Sequence, residues 1–366
     1  MQAESVFDEL QQVIEINSHT KNKAGVDRNG EIFSDWLHAL GFSMQRHRRE
    51  HIGDHLHFQS SKAPGPKLLL LGHLDTVFPE KTFVDFKQDE NWIYGPGVCD
   101  MKGGNHVALS ALRNIFKSQG GIKNIDMLLV SDEETGSDDS KKLTASLATQ
   151  YDACLVFEAA GKNGEVVIGR KGVGTFNIEI TGKPAHAGNH YSEGINANLA
   201  AAKMIIALTE LTDLSKQSTV NVGKMQGGIG ANTISPKASL LAEIRYTLTT
   251  EKARLLLALD KIITDAQISG VQVNVTGGIQ RDVMEPTEQQ SALISHIENL
   301  IGEPLPTEKR GGVSDANIVS AVGVPTIDGF GPFGDGDHTR DERACKKSFQ
   351  KRIEQVTKVL AFYNAR

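Results

Sequence analysis

The stretch Lys67-Leu-Leu-Leu-Leu-Gly-His-Leu-Asp-Thr-Val77 limits the folds open to this chain more than any other. Four leucines bounded by Pro66 and Gly72 predict a short strand covered on both faces, as in a parallel sheet. The strand ends in His73 and Asp75, two polar groups two residues apart, which share one side if the extension continues. That arrangement suits a histidine ligand whose second ring nitrogen is held by a carboxylate. Taken alone, a satisfied His–Asp pair closing a turn is the simpler reading. The rest of the chain has to decide.

A length of 366 residues exceeds one ordinary core and predicts two domains. A net charge of -6 and a pI near 6.1 argue against a nucleic-acid or anionic-membrane surface. No apolar run approaches the roughly 20 residues of a membrane helix. The first ten residues show neither a basic nor an apolar leader segment. Cys99, Cys154 and Cys345 are odd in number and far apart, which fits neither a disulfide framework nor a zinc ribbon. A cytoplasmic, reducing location is the expectation.

Apolar spacing predicts helices over 4–16, through Val6, Leu10, Val13 and Ile14, and over 32–40, stopping at Gly41. The run His47-Arg-Arg-Glu-His51 through His55 and His57 sits among charges and reads as an exposed strand, not a metal site. Beyond the leucine strand come a turn-rich loop, Gly95 to Gly104, a helix near 105–118 and a strand at Ile125–Val130. The acids of Ser131-Asp-Glu-Glu-Thr-Gly136 follow that strand at once. A further strand, Ala153–Phe157, is followed by Glu158. Such alternation predicts an α/β, mostly parallel sheet with helices on both faces, and ligands bind outside the carboxyl ends of its strands. His73, Glu133 with Glu134, and Glu158 each lie just past such an end.

From Gly174 the pattern changes. Strands near 175–180, 218–225, 237–247 and 271–275, with helices near 195–211 and 252–267, predict an inserted α+β unit, β-α-β-β-α-β and ferredoxin-like. Helices over 288–301 and 343–362 and a strand near 325–328 return to the first pattern. The expected division is a discontinuous catalytic domain, 1–172 and 283–366, with a lid domain at 173–282.

His73, Asp75, Asp100, Glu133, Glu134, Glu158 and His338 are the chemical candidates. Carboxylates with two imidazoles suit a divalent ion, zinc being the commonest choice. Five ligands with a bridging carboxylate are too many for one tetrahedral ion and fit two ions sharing a carboxylate and a water. Adjacent Glu133 and Glu134 can divide the work, one on metal and its neighbour as base.

Gly72-His-Leu-Asp-Thr-Val77, Asp100-Met-Lys-Gly-Gly104, Asp132-Glu-Glu-Thr-Gly136 and Asp337-His338 together resemble the M20 family of dinuclear zinc peptidases and deacylases, closest to its glutamate carboxypeptidase (carboxypeptidase G2) branch. The resemblance implies that Asp100 bridges two Zn2+ ions per subunit, with Co2+ or Mn2+ as substitutes. It gives His73 and Glu158 to one ion, and Glu134 and His338 to the other. Asp75 would orient His73, and Glu133 would be the general base. In Gly182-Lys-Pro-Ala-His-Ala-Gly188 the resemblance makes His186 an oxyanion donor, often supplied across a homodimer formed through the lid. Asn232 and Arg245 would hold the substrate's carboxylate end, beside a glycine-rich loop at Gly311 and Gly312. Val313 departs from the family pattern in that loop and puts fine specificity in question.

Without the resemblance, His186 could cap a strand, Arg245 could snorkel from a sheet edge, and His190 faces solvent. Arg170 and Lys171 suit positive potential or plain exposure equally well. Cys99 lacks a base partner in the sequence and reads as packing. The implied activity is an exopeptidase of carboxypeptidase type, acting on small peptides, with glutamate as the C-terminal residue to consider first. The alternative is an N-acyl-amino-acid deacylase, acetylornithine- or succinyl-diaminopimelate-like, with the same metals. Catalysis would then depend on closure of the lid. Two other classes compete: a non-catalytic zinc-binding partner protein, against which Glu133 counts, and a dinuclear phosphoesterase, which calls for a richer basic cradle.

Overall fold

In the computed structural model, which describes residues 7–83, 85–268 and 270–364, the leucine run forms the strand Leu68–His73, buried at every position. Each fully buried leucine contributes about 2 kcal/mol of apolar transfer, so the segment is pinned in place. It lies inside a six-stranded sheet of order Ser43–His47, His55–Gln59, Ile125–Val130, Leu68–His73, Ala153–Val156 and Thr326–Ile327. Its two neighbours run parallel to it, in the registers His73 opposite Val130 and Leu71 opposite Val156. Their carboxyl ends therefore fall in one row. The first two strands are antiparallel, which makes the sheet mixed but mainly parallel.

The chain packs as two units. The first comprises Met1–Gly169, Pro286–Arg310 and Ser314–Arg366, and its core joins the sheet to the helices Lys23–His38, Lys102–Gln119, Glu288–Ile301 and Lys346–Asn364. A small antiparallel sheet in the same unit has the order Gly334–Asp335, Arg343–Cys345, Trp92–Tyr94 and Lys87–Gln88. The second unit, Arg170–Glu285 with Gly311–Val313, is a four-stranded antiparallel sheet carrying two helices. Its strands are ordered Thr219–Gly227, Lys237–Tyr246, Gly172–Thr181 and Gln272–Arg281, the arrangement of a ferredoxin-like β-α-β-β-α-β motif. Its own core gathers Ile178, Ile180, Met204, Leu240 and Leu255.

Three details differ from the sequence reading. The predicted exposed strand around His55 and His57 is buried, because it is second in the sheet and not at its edge. Its imidazoles are held there: His55 accepts from the Ser131 N–H and pairs with Asp139, while His57 bonds the Tyr151 hydroxyl through Nε2 and leaves Nδ1 without a hydrogen-bond partner. The final helix begins at Lys346 and not at 343, because Arg343–Cys345 pairs with Trp92–Tyr94. Gly311–Val313 groups with the second unit, where Arg245 donates to the Gly311 carbonyl and Arg170 to that of Gly312. Of the first predicted helix, Asp8–Ile14 is observed, and Val6 lies outside the described residues. Among the described residues no helix is long and apolar enough to cross a membrane.

Candidate metal centre

Parallel strand ends assemble the site. His73 closes its strand, Glu133 and Glu134 begin a short 3-10 turn after Ile125–Val130, and Glu158 follows Ala153–Val156 by two residues. Asp100 arrives from the loop before the helix Lys102–Gln119, across a cis peptide to Met101. Two glycines make this approach feasible. A Cβ on Gly104 would stand 1.8 Å from the Phe157 carbonyl oxygen, so only glycine lets the helix start reach the strand that delivers Glu158. A Cβ on Gly72 would meet Asn105 Oδ1 at 2.0 Å, the side chain whose amide donates to the His73 carbonyl.

Asp100 is the centre of the cluster. Its Oδ1 lies 3.2 Å from Nε2 of His73, which is also 3.8 Å from Glu158 Oε1. Its Oδ2 lies 3.2 Å from Nε2 of His338, itself 3.2 Å from Glu134 Oε2. One carboxylate thus faces two donor groups, each an imidazole with a second acid. Ligand atoms of His73, Asp100 and Glu134 all fall within 4.8 Å of one another. His338 reaches in from a left-handed backbone conformation, φ 62°.

Asp75 holds the scaffold. Its backbone carbonyl lies 3.0 Å and its Oδ1 3.4 Å from Nδ1 of His73, so Nε2 faces the cluster. The same carboxylate accepts the N–H groups of Glu133 and Glu134, each at 3.3 Å, and the Thr20 hydroxyl at 2.6 Å. It is fully buried. Glu133 and Glu158 are buried as well.

The electrostatics describe a site short of positive charge. Burial and then the neighbouring Asp100 push Glu134 up to about 8 and raise Glu158 well above the carboxylate range. Burial alone would lower His73, but hydrogen bonds to Asp100 and Asp75 outweigh it and raise it. Hydrogen bonds to Asp100 and Glu134 lift His338 to about 11. Burial would raise Asp100, yet the two imidazoles hold it well below its usual range. Two carboxylates and two imidazoles around one shared carboxylate fit divalent cations in that place.

Of the residues expected from sequence, the structure brings His73, Asp75, Asp100, Glu133, Glu134, Glu158 and His338 together in the first unit. His186, Asn232, Arg245, Gly311 and Gly312 belong to the second unit. His186 is exposed, and its Nδ1 accepts the N–H groups of Gly188 and Asn189, each at 3.2 Å, which leaves the proton on Nε2. Asn232 is exposed and its carbonyl receives the Ala187 N–H. Arg245 is forked onto Glu243, 2.7 Å from Nε to Oε1. Arg170 is buried and Lys171 bonds the Gln217 carbonyl, so neither stands as plain exposed charge. Cys99 is buried, its thiol pushed up by burial, as packing predicts. His190 is exposed and pairs with Glu193.

Sequence reasoning missed two residues. Lys102 is buried and donates to the carbonyls of Val13 and Ile16, tying the Asp100 loop to the N-terminal segment. Glu342 is buried beneath the same loop. A lysine directly before two glycines at a helix start was the signal for the first. Nothing local distinguished Glu342 from a surface acid.

The sequence profile described as Peptidase family M20/M25/M40 matches residues 69–361. Carboxypeptidase G2 of Pseudomonas sp. (strain RS-16) is 28% identical, over 92% of this chain and 83% of its own. Acetylornithine deacetylase of Vibrio vulnificus is also 28% identical, over 84% and 85%. The crystal structure of a tripeptidase from Staphylococcus aureus superposes with a TM-score of 0.82 at 25% identity, covering 99% of this chain and 98% of that one.

Proposed function

The chain belongs to the peptidase family M20/M25/M40, and from that premise we propose that it is a two-zinc carboxypeptidase. Its reaction is hydrolysis of the amide bond preceding a C-terminal amino acid, with glutamate the first residue to test. The observation that carries the reading is the division of Asp100: Oδ1 beside His73 and Glu158, Oδ2 beside His338 and Glu134. His73 and Glu158 would hold one ion, His338 and Glu134 the other, and Asp100 both, with cobalt or manganese suited to the same donors. Such a pair lowers the pKa of a water and polarises a carbonyl.

The chain's own residues supply the rest. Glu133, fixed through its N–H to Asp75, takes the proton of the attacking water and returns it to the leaving amine. His186 donates Nε2–H to the carbonyl oxygen as charge builds there, the tautomer its Nδ1 contacts require. Arg245 and Asn232, with the Gly311-Gly312 loop, receive the substrate carboxylate, which exchanges with Glu243 in the Arg245 fork. Two copies pair through the second unit, where Leu199, Ile206, Met225 and Ile229 are exposed on a helix, on the edge strand Thr219–Gly227 and just past it. Its three free cysteines suit a reducing, cytoplasmic setting.

The coverage of carboxypeptidase G2 favours this reading, and the acetylornithine deacetylase match supports a second: N-acyl-amino-acid deacylase on the same centre. The test is a zinc-loaded panel of C-terminal glutamyl dipeptides, folate-like conjugates and N-acetyl amino acids. Turnover of the first two groups is expected. Turnover of the last alone selects the deacylase, and turnover of none refutes both.

A further inference from the structure

Glu342 is a buried acid to which the chemistry above gives no task. Its Oε2 accepts the Gly97 N–H at 3.0 Å, and its Oε1 accepts those of Cys99 at 3.0 Å and Asp100 at 3.2 Å. The Cys99 thiol lies 3.5 Å from the same Oε1. Three amides of one turn therefore converge on a single carboxylate, as backbone nests do on bound anions. Here the anion is the chain's own side chain.

The neighbouring backbone brings it there. Arg343–Cys345 pairs with Trp92–Tyr94, and the Gly95 N–H donates to the Glu342 carbonyl at 3.3 Å. Upstream, the Glu342 N–H bonds Thr339 and the Thr339 N–H bonds Gly336, closing the turn that presents His338. A single residue is thus bonded to the segment bearing Asp100 and lies one turn from His338. Across the two segments it touches, Asp100 Oδ2 and His338 Nε2 stand 3.2 Å apart.

We propose that Glu342 is a positioning residue for the metal centre: it holds Asp100 in register with His338, so that the shared carboxylate is preorganised for the ions. The proposal rests on the two-metal reading given above. Amide-for-acid exchange probes it, because Glu342→Gln keeps the shape but turns an NH2 group toward backbone N–H donors that need an acceptor.

The experiment uses the full chain, wild type, Glu342→Gln and Glu342→Ala, with Val359→Ala as a control for general destabilisation. Zinc affinity is measured by chelator competition, the visible spectrum on the cobalt-loaded protein, and amide exchange over 97–100 on the metal-free protein. Expected for Glu342→Gln are a 10–100-fold loss of zinc affinity, an altered cobalt spectrum, faster exchange at those amides and a fall in kcat at nearly constant KM. The control should keep wild-type affinity and spectrum. Wild-type zinc affinity and cobalt spectrum in both Glu342 variants would overturn the proposal. Failure of the wild type itself to take up zinc would sink the two-metal reading, and amide exchange would then decide Glu342: unchanged protection in Glu342→Gln overturns its positioning role, faster exchange retains it.

Discussion

Asp75 accepts the backbone N–H of Glu134 at 3.3 Å while its other oxygen stands 3.4 Å from Nδ1 of His73. The residue that aims one imidazole thus also fixes the turn bearing both glutamates. Asp75→Asn keeps an acceptor but can present an NH2 group to an N–H, whereas Asp75→Ala removes both oxygens. Expected is a 10–100-fold fall in kcat/KM for the asparagine variant, and a larger one for alanine with loss of bound zinc. Steady-state kinetics beside elemental analysis check this; equal, wild-type-like values in both would refute it.

The adjacent glutamates should separate cleanly. Glu133→Ala should keep both metals and lose 100- to 10,000-fold in kcat, the usual worth of a general base. Glu134→Ala should lose metal, since Glu134 stands 3.2 Å from His338 beside the shared Asp100. Activity retained in the first variant, or full zinc occupancy in the second, contradicts the assignment.

Glycine substitutions should rank by what a Cβ meets. Gly104→Ala forces a methyl against the Phe157 carbonyl, and stability should drop by about 3 kcal/mol or more. Gly136→Ala has open space and only a left-handed backbone, φ 104°, to contend with, and about 1 kcal/mol is expected. Chemical denaturation of the metal-free variants measures both; a reversed order would show that sterics at Gly104 are relieved by a shift of the helix.

Acid sensitivity should have a contribution from His106, packed against the rings of Phe7 and Phe349 with Nδ1 lacking a hydrogen-bond partner. Burial lowers it from 6.5 to about 4. The unfolded chain then binds more protons than the folded one between those values. Stability is complete above pH 6.5 and falls as pH drops toward 4, by on the order of 3 kcal/mol from this group. His106→Leu should flatten that part of the curve, measured as the difference between variant and wild type in urea midpoints at pH 7 and pH 4.5. Parallel curves would remove His106 from the account.

Much of the fold was legible because its strands are buried runs with acids at their ends. The strand at 153–156 needs no tertiary knowledge, since an apolar run without polar relief can only be interior, and Ile125–Val130 is interrupted only by Asp126. The histidines at 55 and 57 misled for a related reason. Charged neighbours suggested exposure, but strand order, which decides exposure, is a property of the whole sheet.

By itself, the sequence determined which residues end the parallel strands, and it singled out His73, Asp100, the 133–134 pair, Glu158 and His338 as candidates for the chemistry. Strand direction and side-chain alternation are local, and they suffice for the residues at strand ends, whereas the roles of Asp100 and His338 came from the family resemblance. Only the tertiary structure decided that Oδ1 of Asp100 faces His73 while Oδ2 faces His338, and that Glu342 lies under the loop between them. Those contacts join segments distant along the chain, and no periodicity records them. They follow from close packing at Gly72 and Gly104, where the absence of a side chain sets how near the elements come.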